Sequence, residues 1–217
     1  MVSADPAAAV IETRERPDRR ALLVETAETL FTERAYDEVT TTEIAKRAGV
    51  AYGLIAHHFA NKRGLYLAMV NAVAERLRAV HQAQPTGGTP AEMLREGILR
   101  HIAYVEDNAK GYLALMYGGS GSDPEVRAII ESFRWTIVTR LLGMLGVHEP
   151  IRPVLRTAMR GWSGYVTESL LDYLQNSDTS RDDVATLVIR ALVSTLRTAH
   201  SLDPDIGIGP SVIDRLC

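Results

Sequence analysis

Apolar residues recur every three or four positions along most of this chain, and nowhere does a sustained alternation with a period of two appear. That pattern marks helices with one buried stripe and leaves no candidate strand, so the sequence predicts an all-α protein with no internal repeat and about nine helices. Asp18 to Arg34 carries Leu23, Ala27, Leu30 and Phe31 at helical spacing. Thr40 and Glu43 then form a T-x-x-E capping box that opens a short second helix with Ile44, Ala45 and Ala48 inside. Gly49 suits the left-handed conformation that ends a helix. Tyr52 to Phe59 makes a third helix of about two turns, with Leu54, Ile55, His58 and Phe59 leaning inward and Tyr52, Gly53, Ala56 and His57 outward. Asn61 caps a fourth helix bearing Leu65, Met69, Val73, Leu77 and Val80.

PTGGTP, at Pro85 to Pro90, is the clearest break, and Thr89, Pro90 and Glu92 start the next helix with a second capping box. Further helices are expected near 90–108, 110–117, 124–145, 151–175 and 181–200, with GGSGSD at Gly118 to Asp123 as a loop. The implied division is a tail over 1–17, a helix-turn-helix domain over 18–64, a connecting helix over 65–84 and a second helical domain over 85–217.

Bulk properties exclude more than they identify. With 217 residues, 46% of them hydrophobic, the chain can bury a core without disulfides, and its one cysteine is Cys217. No export signal is read at the N-terminus and no apolar stretch reaches membrane-spanning length, so a cytoplasmic protein with no membrane partner is expected. The net charge of −3 hides a local pattern: Ile44 to Ala74 contains Lys46, Arg47, Lys62, Arg63, His57 and His58 but no acidic residue.

Helix, glycine turn, then a short helix with a polar outer face is the order of a helix-turn-helix, whose second member lies in the DNA major groove. Gly53 and Ala56 keep the outer surface thin enough for close approach to base edges, and Tyr52 and His57 flank them as hydrogen-bonding groups. Helix starts at Thr40 and Asn61 can aim backbone amides at phosphates, with Lys62 adding a charge. The segment TTTEIAKRAGVAYGLIAHHFANKRGLY, Thr40 to Tyr66, resembles the DNA-binding domain of the tetracycline-repressor (TetR) family of bacterial regulators, and the match runs from about Ala21 to Val73. The resemblance implies an all-helical homodimer with a variable C-terminal ligand domain, base reading by the third helix, and phosphate contacts from Thr42, His57, His58 and Lys62. The candidate DNA-contacting set is therefore Thr40, Thr42, Lys46, Ala51, Tyr52, Gly53, Ala56, His57, His58 and Lys62.

The chain departs from the family pattern at Leu54, Ala56, His57 and Gly64; where it has Gly64 the family commonly has glutamate, so the fourth helix lacks a capping box. Plainer roles stand beside these. Lys46 and Arg47 equally fit a solvated face, and Arg14, Arg16, Arg19 and Arg20 fit either a minor-groove arm or a solubilising tail. His57 and His58 point about 100° apart on a helix of 3.6 residues per turn, so they form no metal pair. No cofactor is expected.

In the second domain, Val184, Leu187, Val188, Ala191, Leu192 and Thr195 form one apolar stripe, while the small residues Thr157, Gly161 and Gly164 permit close helix approach. These nine residues fit a four-helix homodimer interface or an intramolecular core, and the resemblance favours the dimer. Tyr104, Asn108, Tyr112, Met116, Tyr117, Trp135, Trp162, Tyr165 and Glu168, with Phe133 and Met144, fit a mostly apolar cavity for a small hydrophobic or aromatic effector, or plain core packing. An enzyme is disfavoured because GWSGY at Gly161 lacks the G-x-S-x-G spacing and no histidine has glutamate three positions earlier. The expectation is a ligand-responsive regulator, a repressor that binds a double-stranded, near-palindromic operator as a dimer and is released by a small hydrophobic effector; the rival is a constitutive or architectural DNA-binding dimer without an effector.

Overall fold

The computed structural model describes residues 18–82, 87–117, 123–176 and 178–216, apart from the side chains of residues 115 and 117. Among them are ten α-helices, one 3-10 turn and no strand. The N-terminal tail, parts of the PTGGTP and GGSGSD segments, and Cys217 fall outside the described residues.

Helix α1 (Arg19–Glu33) begins where Asp18 accepts hydrogen bonds from the amides of Arg20 and Ala21, at 2.9 and 3.2 Å. It buries Leu23, Ala27, Leu30 and Phe31, as its spacing predicts. The short α2 (Thr41–Arg47) and α3 (Gly53–Phe59) pack beside it, with Ile44, Ala45, Ile55 and Phe59 in a common core. Thr40 caps α2, but only half of the expected box forms. Glu43 turns its carboxylate to Arg34 instead of to the Thr40 amide, because a charged partner holds it more strongly than a neutral N–H.

The 21-residue α4 (Lys62–Gln82) belongs to both halves of the molecule. Its stripe is wider than the sequence predicts, with Tyr66, Val70 and Ala74 also buried, because it is packed on more than one side, against α1, α5 (Pro90–Asp107) and α7 (Pro124–Met144). The Thr89–Glu92 box at the start of α5 is complete. Helices α6 (Ala109–Tyr117), α8 (Pro153–Asn176) and α9 (Arg181–Leu202) complete the body, with α8 and α9 in a long antiparallel pair. Burial of Leu142, Leu155, Met159, Leu192 and Leu196 makes this the larger core.

Two elements are additions to the expected helices. A 3-10 turn at Tyr36–Glu38 places Tyr36 against Phe31 and Tyr66, and α10 (Pro210–Asp214) closes the C-terminal end. Both are too short for helical periodicity to register. The C-terminal segment is nonetheless anchored: Ile206, Ile208, Ile213 and Leu216 are buried against α9 and its neighbours, and Arg152 clamps Asp203 with two hydrogen bonds of 2.9 and 3.0 Å.

Candidate nucleic-acid interface and effector cavity

The turn between α2 and α3 works because Gly49 sits at φ +66°, where a side chain would be strained. Ile55 and Phe59 then pin α3 into the core, leaving its other face in solvent. Tyr52 is 60% exposed, and Ala51, Gly53, Ala56 and His57 are exposed with it. A Cβ added at Gly53 would meet nothing within 4 Å, so this surface is thin by composition and not by crowding. His58 corrects the expectation of an inward ring. It is exposed, and packs edge-on against His57 with centroids 4.9 Å apart, because Phe59 and Ile55 already fill the inner positions.

The flanking candidates are arranged around this face. Thr42 and Lys46 are exposed on α2, while the Thr40 hydroxyl is engaged as the cap. Arg47 pairs with Glu33 and Arg34 with Glu43, so acidic groups near the face are partly neutralised. Lys62 is steered by Tyr36, whose ring lies 4.3 Å from its ammonium. Thr41, which the sequence reading missed, donates a long 3.5 Å hydrogen bond to the Tyr52 hydroxyl.

The junction after α3 is tight. Ala60 has φ 66° and ψ −46°, and the Asn61 amide donates to the Phe59 carbonyl at 2.8 Å, a strained three-residue turn. Asn61 caps α4 through the Gly64 amide at 2.9 Å. A Cβ at Gly64 would lie 1.9 Å from the Phe59 carbonyl oxygen, which gives the glycine at that departure from the family pattern a steric reason. One residue before it, Arg63 forks onto Asp123 at 2.7 and 2.9 Å and reaches Glu125 at 2.7 Å, tying the start of α4 to the start of α7. The Arg63 hydrogen bonds hold the Asp123 carboxyl down at about 2.

Between α4, α5, α7 and α8, with α6 and α9 completing its wall, lies a cavity of about 140 Å³. Of the expected ligand residues Tyr112, Met116 and Trp162 line it, as do Phe133 and Met144. The others are elsewhere. Tyr104 packs with Ala74, Leu77 and Phe133; Asn108 caps α5 by donating to the Tyr104 carbonyl at 2.8 Å; Trp135 lies under Arg160; Tyr165 and Glu168 face solvent. The Tyr117 side chain is outside the described residues. Burial pushes the Tyr112 phenol up to about 12, so it stays neutral in contact with Thr167. Trp162 donates its indole N–H to the Val188 carbonyl at 3.0 Å, tying α8 to α9.

The sequence reading missed the polar lining. His81 and His101 meet at 3.0 Å between ring nitrogens, with Arg100, Arg134 and Arg140 also at the wall. Burial first, then Arg100 and Arg140, push His81 down to about 4, and burial pushes His101 to about 3, so both rings are neutral at pH 7. Their only sequence signal is a histidine on the apolar side of each of two helices separated by a turn.

The expected dimer residues divide. Val184, Val188 and Leu192 are buried in the protomer's own core, because α9 turns that edge of its stripe toward α8 and α5. Thr157, Gly161 and Leu187 are exposed and Gly164, Ala191 and Thr195 half-buried, on a face extended by Leu202 at 71% exposure.

A helix-turn-helix with a slim exposed second helix, mounted on a helical body, defines the architecture of a DNA-binding regulator. Comparison with known proteins agrees. The profile described as "Bacterial regulatory proteins, tetR family" matches residues 23–69, and the "Tetracyclin repressor-like, C-terminal domain" profile matches residues 90–199. The chain belongs to the TetR family of DNA-binding transcriptional regulators.

Among its relatives, the transcriptional activator FasR of Mycolicibacterium smegmatis is 30% identical over 117 residues, 54% of this chain and 53% of FasR. The transcriptional repressor Rv1474c of Mycobacterium tuberculosis is 32% identical over 76 residues, 35% of this chain and 41% of the relative. These matches thus span about half the relatives' lengths or less. A TetR-family regulator from Streptomyces coelicolor superposes with a TM-score of 0.75 at 26% identity, covering 91% of this chain and 87% of that one. The relatives are regulators and not enzymes. No helix among the described residues is long and apolar enough to cross a membrane.

Proposed function

We propose that the chain acts as a homodimer on a near-palindromic DNA operator and is released from it when a small, largely apolar effector enters the cavity. The observation that carries this reading is the exposed α3 face of Tyr52, Gly53, Ala56 and His57 on a helix whose opposite side is buried. Pairing through the outer face of α8 and α9 sets two such faces on one side of the dimer, about 34 Å apart, one turn of DNA. Exposed apolar and small groups there support that pairing: Leu187 at 50%, Leu202 at 71%, Thr157 and Gly161.

The cavity supports effector control over constitutive binding. At about 140 Å³ it is close to the size that holds a benzene-sized guest, and well below the roughly 300–1,000 Å³ of drug-sized ligand sites. A larger ligand therefore has to push the surrounding helices apart. Two of them, α4 and α7, are the helices joined by Arg63, Asp123 and Glu125 beside the reading helix. Displacement in the body is thereby transmitted to the spacing of the two reading helices, and near-complete release requires about 5.5 kcal/mol of preference for the released form.

The test is footprinting and gel-shift titration on the DNA flanking the chain's own coding sequence. A protected near-palindrome bound by a dimer is expected, as is weakening by ligands that also raise thermal stability. Binding by a monomer, or ligand-stabilised protein that holds DNA unchanged, overturns the reading.

A further inference from the structure

Apart from the hydroxyls of Tyr112, Ser163 and Thr167, the polar side chains of the cavity are basic. Three arginines and two histidines line it, and no Asp or Glu is among the described lining residues, although Arg100 and Arg134 pair with Glu96 and Glu131 behind that lining. Four of these five gather at one end. His81 and His101 touch at 3.0 Å, Arg140 donates to the carbonyl of Gln82 at 3.4 Å, the residue next to His81, and the Arg100 and Arg140 charges both act on the His81 ring. The rest of the wall is apolar, with Leu94, Phe133, Ile137, Val138, Trp162 and Leu170 among it.

Chemistry narrows what fits. Two neutral imidazoles sharing one hydrogen bond leave one further ring N–H and one lone pair, whichever ring donates. Beside the Arg140 guanidinium, and beside Arg100, which also pairs with Glu96, that is a site for an oxygen anion. A cationic head would meet like charge at low dielectric, and a purely apolar ligand would leave the remaining imidazole N–H without an acceptor. We propose that the effector is a monocarboxylate with a compact apolar body, its carboxylate held by His81, His101, Arg100 and Arg140 and its body lying toward Trp162. The inference rests on the proposed effector role of this cavity and specifies the chemical class.

The experiment uses the full chain without DNA, by calorimetry and thermal shift, with phenylacetate and octanoate set against 2-phenylethanol, 1-octanol and octylamine. The carboxylates are expected to bind at least about tenfold tighter than the matched alcohols, the worth of a charge-assisted hydrogen bond, and the amine weakest. Arg140→Met and His101→Phe should remove that tenfold preference, the acid losing far more affinity than the matched alcohol. Circular dichroism and melting curves check that each variant is folded, and Arg140→Lys should restore part of the preference. Alcohols binding as well as acids, or a preference untouched by both variants, overturns the carboxylate site and leaves the cavity's effector role standing. Failure of every probe to bind overturns the carboxylate site and removes the support the cavity gives to effector control.

Discussion

The N-terminal head and the C-terminal body are built from the same helices-and-turns grammar, yet they place their candidate site residues in opposite ways. In the head, the working face is what remains after α3 has been pinned by Ile55 and Phe59, so its residues lie outside and close together in sequence. In the body the cavity is lined from six helices, by residues between 81 and 188, and its lining residues point inward among neighbours of the same kind. The difference teaches that a surface site can be specified by one helix, whereas an internal site belongs to the packing between several.

The strongest way to separate the two regions is Trp162→Ala. It removes a buried indole and its hydrogen bond to Val188, and should cost about 3–5 kcal/mol while leaving the α3 face untouched. Chemical denaturation should show the loss, and DNA affinity of the still-folded fraction should be retained. Equal damage to specific DNA recognition would show that the two regions are not separable.

Gly64→Ala probes the head in the converse sense. Its Cβ would land 1.9 Å from a backbone oxygen, so the α3–α4 junction has to shift, at about 1–3 kcal/mol. DNA affinity should fall more steeply than ligand binding in the body. Parallel loss of both would mean that the strain spreads beyond the junction.

Acid should weaken the body selectively. His81 and His101 titrate near 4 and 3 in the folded chain against about 6.5 unfolded. The unfolded state therefore takes up protons first as pH falls. The stability of holding both rings neutral is present above about 6.5 and is lost progressively below it, on the order of 2 kcal/mol per ring between pH 7 and pH 5. Melting curves across that range should show a decline that His101→Phe flattens; an unchanged slope in the variant would exclude the pair as its source.

Arg63→Ala is the smallest perturbation to stability, since the side chain is half exposed and its ion pairs are at the surface. Its melting temperature should barely move. The response should change: ligand binding persists while ligand-induced release from DNA is blunted, measured as the ratio of operator affinities with and without ligand. A wild-type ratio would place the coupling elsewhere.

The same contrast explains what the sequence made legible. Capping boxes, glycine stops and apolar spacing located the helices from α1 through α9, because those signals act over one or two turns. Half of the first box was nevertheless diverted when Arg34 claimed Glu43, a contact across nine residues that no local rule registers. The outward residues of α3 were readable because that helix is packed on one side only, and His58 was misplaced because Phe59 and Ile55 sufficed to fill the inside. In the body, helices packed on several sides bury more than one stripe, so Val184, Val188 and Leu192 could not be told from Leu187 and Ala191 by period alone. Aromatic content pointed to Tyr112, Met116 and Trp162 but equally to Tyr104 and Trp135, and missed His81 and His101, which meet only through the pairing of α4 with α5.

The most direct measurement is the operator affinity of Gly53→Leu. The added side chain meets no protein atom where its Cβ would stand, and leucine favours helix over glycine, so fold and melting temperature should be preserved or improved. If the slim α3 face enters the groove, specific affinity falls at least about tenfold, an effect of about 1.4 kcal/mol, while weak binding to unrelated DNA survives. Wild-type affinity and specificity in a folded Gly53→Leu chain would contradict the account.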